Sequence, residues 1–238
     1  FCHPFAEEKN CSHVVIAKAA RNFAAAGFPV FRFDFSGCGD SEGDMPDFTL
    51  YDWLADIQRA ITEFRNRTSI DNIILWGLRL GATLASEYAE KNGGISGLVL
   101  WQPVFKSGDF IQQFLRQKLA SGITHNVDRV PVTLLIQEIN SGATVFINGY
   151  PISAPLYASF KAMNISPESF MNGPMMVATI SNMPLPPWPM IRTAEKIIST
   201  RHHSSYSHIV AEPFWDRYWR WESPDVIAHT REWLNHFD

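Results

Sequence analysis

Several features that would place this chain in a specialised class are scarce in its sequence or missing from it. Its 238 residues contain only three cysteines, Cys2, Cys11 and Cys38, in no C-x-x-C pattern, so neither a disulfide framework nor a zinc site is expected. No apolar run reaches the roughly 18 residues of a membrane-spanning helix. No Lys/Arg-rich block accompanies the net charge of −4. We therefore predict a cytoplasmic protein that neither inserts into a membrane nor binds nucleic acid.

The most informative absence is that of a serine at the centre of one glycine-flanked turn. Residues 72–90 run from a short apolar segment through Gly77-Leu-Arg-Leu-Gly81 into an Ala/Leu-rich helical pattern. A strand, a glycine-flanked turn and a helix in this order are the setting of the G-x-S-x-G nucleophile elbow. Arg79 stands where the serine is expected, and a guanidinium that stays protonated cannot attack a carbonyl. The sequence therefore predicts the scaffold of an elbow without its usual chemistry.

Strand and helix patterns alternate on both sides of this stretch. A polar loop is predicted at 3–10. Helical spacing of apolar residues predicts helices at 14–27, 49–66, 191–198 and after Ser223. Runs rich in β-branched and aromatic residues predict strands at 28–35, 97–103, 175–180 and 206–211. This alternation is typical of an α/β domain with a doubly wound, mostly parallel sheet.

The rhythm changes between the strands predicted at 97–103 and 175–180. We predict a helix at 109–120, an irregular segment, a hairpin at 144–150 and a helix at 154–163. We interpret residues 105–172 as a lid-like insertion, which divides the core into residues 1–104 and residues 173–238. Its apolar residues would line a pocket.

Several short motifs, spread over nearly the whole chain, carry a resemblance to a known family. They are His3–Asn10, Gly37–Gly43, Leu75–Gly81, Leu100–Pro103, Gln113–Lys118, Asn148–Ser153 and Pro213–Trp215. With them the chain resembles the α/β-hydrolase superfamily, and more closely the second type of hydrolase associated with exosortase A systems. The resemblance implies the α/β-hydrolase fold, an esterase-like ancestry, and bacteria that make exopolysaccharide and sort exported proteins. Phe1–Phe5 has the pattern of a strand end running into a loop, as in a fragment whose leading strands lie before residue 1.

The resemblance also implies where a catalytic triad would lie, and none of its three positions holds the expected residue. The triad needs a serine or cysteine at the elbow, an acid after a late strand and a histidine after the last strand. Arg79 is at the elbow, residues 181–187 contain no carboxylate, and Glu212–Trp215 stands where histidine is expected. We therefore predict that no Ser-His or Cys-His pair lies at this site.

Arg79 is instead a candidate ligand-binding residue. A cation at the start of a helix adds to backbone N–H groups that already favour anions, so the site suits a carboxylate or phosphate. The alternative is an internal ion pair, and we predict that Arg79 contacts Glu7, Glu8 or a bound anion. The remaining ligand-binding candidates are Leu78, His3, Phe5 and Gln102, which the resemblance places in or next to the elbow.

Three functional hypotheses remain open. The first is a protein that has lost the serine mechanism and binds an anionic or acyl-bearing small molecule in a lidded pocket, with no cofactor and no metal. The second is a weak ester or thioester hydrolase with a displaced nucleophile, Cys38 or Ser36, and His3 as base. The third is a protein-interaction module that uses the aromatic segment 214–221 as a partner or saccharide surface. Adjacent His202 and His203 lie in a polar loop and are expected to point apart rather than to bind a metal.

Overall fold

Helices and strands alternate through most of the chain. The computed structural model describes residues 1–124, 131–165, 173–185, 188–199, 203–219 and 222–236. The helices are α1 (Glu7–Ala25), α2 (Leu50–Thr68), α3 (Leu80–Asn92), α4 (Ser107–Thr124), α5 (Val132–Asn140), α6 (Ala154–Ala162), α7 (Trp188–Ile198) and α8 (Pro224–Asn235). The strands are β1 (Ile74–Leu78), β2 (Gly97–Trp101), β3 (Val145–Ile147), β4 (Tyr150–Ile152), β5 (Met175–Ser181) and β6 (Ser205–Val210).

The central sheet has the order β1-β2-β5-β6, and all of its neighbouring strands are parallel. Cys2 adds an isolated parallel bridge to Gly77 on the other side of β1. Alternate residues of each strand point to opposite faces, and one face packs against α1 and α8 in a single apolar core. The core residues include Val15, Phe23, Trp76, Leu78, Trp101, Ile180, Phe214, Trp215, Val226 and Leu234. The predicted α/β fold with a mostly parallel sheet is confirmed.

The chain divides into two compact units. The first comprises Phe1–Phe33, Ala60–Pro103 and Ser166–Asp238, and the second comprises Asp34–Arg59 and Val104–Ile165. The interpretation of residues 105–172 as a lid stays a prediction.

The second unit has its own buried apolar side chains on α4, α5, α6 and the β3–β4 hairpin. Two serines join its chain segments: the Leu50 N–H donates to Ser159 Oγ, and Ser153 Oγ donates to the Pro46 carbonyl. Residues 34–59, which sequence reasoning placed with the core, are therefore held to 104–165 by hydrogen bonds within this unit.

Three predicted segments differ in the structure. The loop predicted at 3–10 is helical from Glu7, because two acidic residues in the first turn interact favourably with the helix dipole. The strand predicted at 28–35 is not paired as a strand, although the Phe31 carbonyl accepts a hydrogen bond from the Phe1 ammonium at 2.7 Å. The irregular segment contains α5, whose β-branched and aliphatic sequence Val-Thr-Leu-Leu-Ile does not favour a helix on propensity alone.

Candidate functional site

The turn between β1 and α3 has the geometry of a nucleophile elbow. Arg79 adopts φ 56° and ψ −121°, which is a strained conformation for a residue with a side chain. A Cβ added to Gly77 would come within 3 Å of the Gly81 and Ala82 backbone, and one added to Gly81 would meet the carbonyl oxygens of Cys2 and His3. Both glycines are therefore required by close backbone approach. The predicted elbow is confirmed, with arginine at its centre.

The Arg79 side chain is held between a carboxylate and an aromatic ring. Its Nε donates to Glu8 Oε1 at 3.0 Å, and its Cζ lies 5.4 Å from the centroid of the Trp215 ring, within cation–π range. The Arg79 and Glu8 side chains are only 18% and 20% exposed. Glu8 comes from the first turn of α1, and Trp215 follows β6. The predicted contact of Arg79 with Glu7 or Glu8 is confirmed.

Among the described residues, the charges that act on Glu8 and on nearby Cys11 are mostly those of carboxylates. Burial raises the pKa of Glu8, the Arg79 guanidinium opposes that shift, and the charge of Asp216 adds to it. Burial also raises the pKa of the Cys11 thiol, and the charges of Glu7, Asp216 and Glu8 raise it further. Glu8 Oε2 is buried with no hydrogen-bond partner among the residues that the structure describes. The pair therefore sits in a negative environment, in which Glu8 is costly to keep ionised.

The other residues predicted for this site have different environments. His3 is buried, and its Nδ1 donates to the Pro4 carbonyl at 2.7 Å, since a carbonyl can only accept. Phe5 is buried, and its carbonyl accepts the Glu8 N–H. Leu78 is fully buried in the apolar core, a position that does not favour a ligand contact. Gln102, whose φ is 43°, ties β2 to β5, because its Oε1 accepts the Ile180 N–H at 2.6 Å.

The two weak nucleophile candidates, Ser36 and Cys38, lie in a turn of the second unit. Ser36 Oγ donates to Asp56 Oδ1 at 3.0 Å, and the Ser36 N–H donates to Asp56 Oδ2 at 2.8 Å. Asp56 also forms an ion pair with Arg59. Cys38 is buried, and its N–H donates to the Phe35 carbonyl. A carboxylate thus orients the Ser36 hydroxyl, rather than the histidine that a displaced catalytic pair needs.

The segments after β5 and β6 are those in which the resemblance implies a catalytic acid and a histidine. Residues 181–185 include no carboxylate, and residues 186–187 of the same predicted loop lie outside the described residues. The segment after β6 contributes Trp215 to the Arg79 site. Sequence reasoning treated the aromatic cluster around Trp215 as core packing or an interaction surface and missed this contact. The elbow follows β1 and Trp215 follows β6, and β2 and β5 lie between these strands in the sheet, so spacing in the sequence gave no signal of the contact.

A hydrogen-bonded chain on β5 and β6 was also not predicted. Thr179 Oγ1 lies 2.9 Å from Tyr206 Oη and 3.0 Å from His208 Nδ1, and His208 Nε2 lies 2.9 Å from the Met183 carbonyl. Because the carbonyl can only accept, His208 Nε2 donates to it, and the Thr179 hydroxyl bridges His208 Nδ1 and Tyr206 Oη. Thr179 is fully buried between strands, so this chain of hydrogen bonds fixes the loop after β5 and does not expose a nucleophile.

The structure gives no support to metal binding. In the part of the chain that it describes, no group of three His, Cys, Asp or Glu side chains could hold an ion. His203 adopts φ 57° before β6, and His202 lies outside the described residues. Among the described helices, none is long and apolar enough to cross a membrane.

Comparison with known proteins identifies the family to which this elbow belongs. The family model for the serine aminopeptidases, S33, matches residues 2–191, which is most of the chain. The chain belongs to this α/β-hydrolase family. No curated protein matches the sequence. Arg79 is the central residue of the elbow in this chain, and the assignment to the exosortase-associated type remains a proposal.

Solved structures agree on the fold at low sequence identity. Est1E from Butyrivibrio proteoclasticus with bound ferulic acid has a TM-score of 0.65 and 15% identity, over 93% of this chain and 82% of that chain. A malate-bound thermophilic esterase from Thermogutta terrifontis has a TM-score of 0.61 and 19% identity, over 99% and 88% of the two chains. An esterase from Pyrococcus furiosus has a TM-score of 0.60 and 15% identity, over 94% and 74%. At these identities the likeness supports the fold alone.

Proposed function

We propose that this chain is an α/β-hydrolase family member without the Ser-His-Asp mechanism, and that it binds an anionic or acyl-bearing small molecule at Arg79. The observation that carries the proposal is the position of Arg79: a part-buried guanidinium in the backbone conformation of an elbow residue. In this fold the elbow directs its central side chain to the place where substrate is bound. A fixed cation there supports recognition of a carboxylate or phosphate.

The backbone adds to the attraction for an anion. Arg79 is the N-cap of α3, and the first N–H groups of a helix have no acceptor within the helix. Leu80 supplies the first of these N–H groups, which in this superfamily faces the carbonyl oxygen of an acyl substrate. A guanidinium beside such N–H groups favours a planar, bidentate acceptor. Glu8 already supplies a carboxylate to Arg79, and a ligand carboxylate would compete with it.

A thermal-shift experiment tests this function. Ferulate and malate are the first probes, because two structures with this fold were solved with those carboxylic acids, and acetate and inorganic phosphate complete the set. We expect at least one probe to raise the Tm of the unaltered protein, since binding to the native state stabilises it by mass action. Arg79→Gln should abolish the shift, and Arg67→Gln, which changes an exposed arginine on α2, should keep it.

Failure of all four probes to shift the Tm, in both the unaltered protein and Arg79→Gln, would reject anion binding. The hydrolase alternative has a separate test with p-nitrophenyl acetate. Turnover that Ser36→Ala or Cys38→Ala removes would favour a displaced nucleophile over the binding function. The Ser36–Asp56 pair, which includes no histidine, does not favour that outcome.

A protein-interaction role is the second candidate. The exposed large apolar side chains include Met183, Leu185, Val210, Tyr218 and Trp219. They lie in the loop after β5, at the end of β6 and in the segment that follows it. Such side chains favour contact with another macromolecule when they form one patch. Replacing Leu185 and Trp219 with serine should abolish co-purification of any partner while leaving the ferulate response unchanged.

The cellular setting belongs to the same proposal. The motifs shared with exosortase-associated hydrolases support a bacterial, cytoplasmic protein linked to exopolysaccharide or protein sorting. Fractionation of the source cells tests the location, and a membrane or exported fraction would contradict it. Loss of exopolysaccharide or of sorted proteins after deletion of the chain would support the link.

A further inference from the structure

The Glu8 carboxylate already pairs with Arg79 and therefore limits how an anion can bind there. Glu8 Oε1 accepts a hydrogen bond from the Arg79 Nε–H at 3.0 Å, and the Trp215 ring lies 5.4 Å from Cζ. Both members of the ion pair are mostly buried, so solvent screens their charges weakly. A second carboxylate beside the same guanidinium would meet the charge of Glu8 at short range. The ligand therefore has to replace Glu8 or neutralise it.

Glu8 has little to stabilise its charge once it loses Arg79. Its Oε2 is buried and accepts no hydrogen bond from the residues that the structure describes. Among the described residues, the charges that act on Glu8 are those of Arg79 from the elbow and Asp216 from the segment after β6, and Glu8 and Glu7 both act on Cys11 of the same helix. Apart from Arg79, these groups are acidic. A buried carboxylate without a cation or a donor takes up a proton rather than remain charged.

We infer that an anion displaces Glu8 from Arg79 and that Glu8 takes up a proton in the same event, so that the site binds an anion together with a proton. This inference rests on the proposed function, because it needs an anion at Arg79. The proton balance is closed: one proton leaves the solvent, binds a Glu8 carboxylate oxygen and cancels the negative charge that the ligand brings. Burial already raises the pKa of Glu8 in the free protein, which favours the same step.

Calorimetric titration with ferulate measures the coupling directly. The titration is run at one pH in two cationic buffers with different ionisation enthalpies, and the difference in the observed heat gives the number of protons bound. We expect uptake that approaches one proton per ferulate over the part of the pH range in which Glu8 is ionised in the free protein and protonated in the complex. Over that part, the Kd should rise by up to about tenfold per pH unit.

Variants separate Glu8 from other sources of protons. Glu8→Gln should still bind ferulate, because the amide carries no charge to repel it, but the proton uptake and the pH dependence should disappear. Glu63→Gln is the matched control, since it removes an exposed carboxylate on α2 and should leave both unchanged. If Glu8→Gln does not fold, the unaltered protein decides the question through its buffer dependence.

The outcomes distinguish this inference from the proposed function. Ferulate binding that is independent of buffer and of pH would show that Glu8 stays charged, and it would overturn the inference while leaving anion binding intact. Proton uptake that persists in Glu8→Gln would also overturn it. If ferulate, malate, acetate and phosphate all fail to bind, and Arg79→Gln changes nothing, the proposed function and the inference fall together.

Discussion

Arg79 shares its unusual backbone conformation with a residue on the facing loop. Ala6, the N-cap of α1, adopts φ 50° and ψ −130°, and Arg79 adopts φ 56° and ψ −121°. Each conformation costs on the order of 1–3 kcal/mol for a residue with a Cβ. Ala6 lies two residues before Glu8, and Arg79 is itself strained. Glu8 and Arg79 form the ion pair. Strained backbone is therefore present on both sides of the ion pair.

Ala6→Gly should therefore stabilise the protein. Glycine adopts this conformation without a Cβ penalty, and no side-chain capping bond is lost because Ala6 makes none. We expect the free energy of unfolding to rise by about 1 kcal/mol in urea denaturation. Ala20→Gly, inside the same helix, should lower it by about 1 kcal/mol. A loss of stability in Ala6→Gly would contradict the assignment of strain.

The ion pair gives stability a defined pH dependence. Burial raises the folded-state pKa of Glu8 above its unfolded value, so its contribution is present at low pH and is lost as pH rises through the folded value. Stability should therefore fall with rising pH above the ordinary glutamate range of about 4.3. Arg79→Gln should deepen the fall, and Glu8→Gln should remove this part of it. Urea denaturation of the three proteins at a series of pH values measures the difference, and parallel curves would contradict it.

At the scale of elements, the elbow depends on the close approach of two backbones. A Cβ on Gly81 would overlap the Cys2 and His3 carbonyl groups, which are backbone atoms and cannot rotate away. Gly81→Ala should therefore lower the free energy of unfolding by about 3 kcal/mol or prevent folding. Gly108→Ala is the control, because its Cβ would have an ordinary contact of 3.8 Å with Lys161. A Gly81→Ala protein with unchanged stability would show that the elbow is looser than described.

The loop after β5 depends on the chain from Tyr206 through Thr179 to His208. Thr179→Val removes the bridging hydroxyl and leaves two polar groups without their partner. We expect a loss of about 1–3 kcal/mol in the free energy of unfolding. Thr179→Ser keeps the hydroxyl and should recover most of that loss. Equal stability of the two variants would mean that the hydrogen bonds contribute no more than the methyl group at this position.

The alternation of patterns was sufficient to predict most elements of the sheet, because a buried parallel strand is a short apolar run and its helices repeat every three to four residues. Three segments were not predictable in this way. Whether 28–35 pairs as a strand depends on its neighbours rather than on its own residues. The residues of α5 favour a strand locally, and buried Leu135 and Ile139 decide for the helix. The helical start of α1 at Glu7 depends on the strained turn at Ala6.

At the scale of the whole molecule, the sequence indicated the Arg79–Glu8 contact because the fold places the loop after one strand opposite the elbow. It did not indicate Trp215 or the Thr179 chain, since both need the register of strands that are distant in sequence. Leu78 and Gln102 were predicted from proximity to the elbow. Their side chains point into the core or tie strands together, which only the geometry reveals.

The family and the elbow residue lead to opposite expectations, and one measurement addresses the conflict. The matching family model is that of the serine aminopeptidases, S33, whereas the central residue of the elbow is an arginine that pairs with Glu8. A crystal structure of the protein with ferulate tests which feature determines function. We predict a ferulate carboxylate within about 4 Å of the Arg79 guanidinium, the usual limit of an ion pair, with Glu8 displaced. Ferulate bound elsewhere with the Arg79–Glu8 pair intact, or beside a hydroxyl or thiol paired with histidine, would contradict the account.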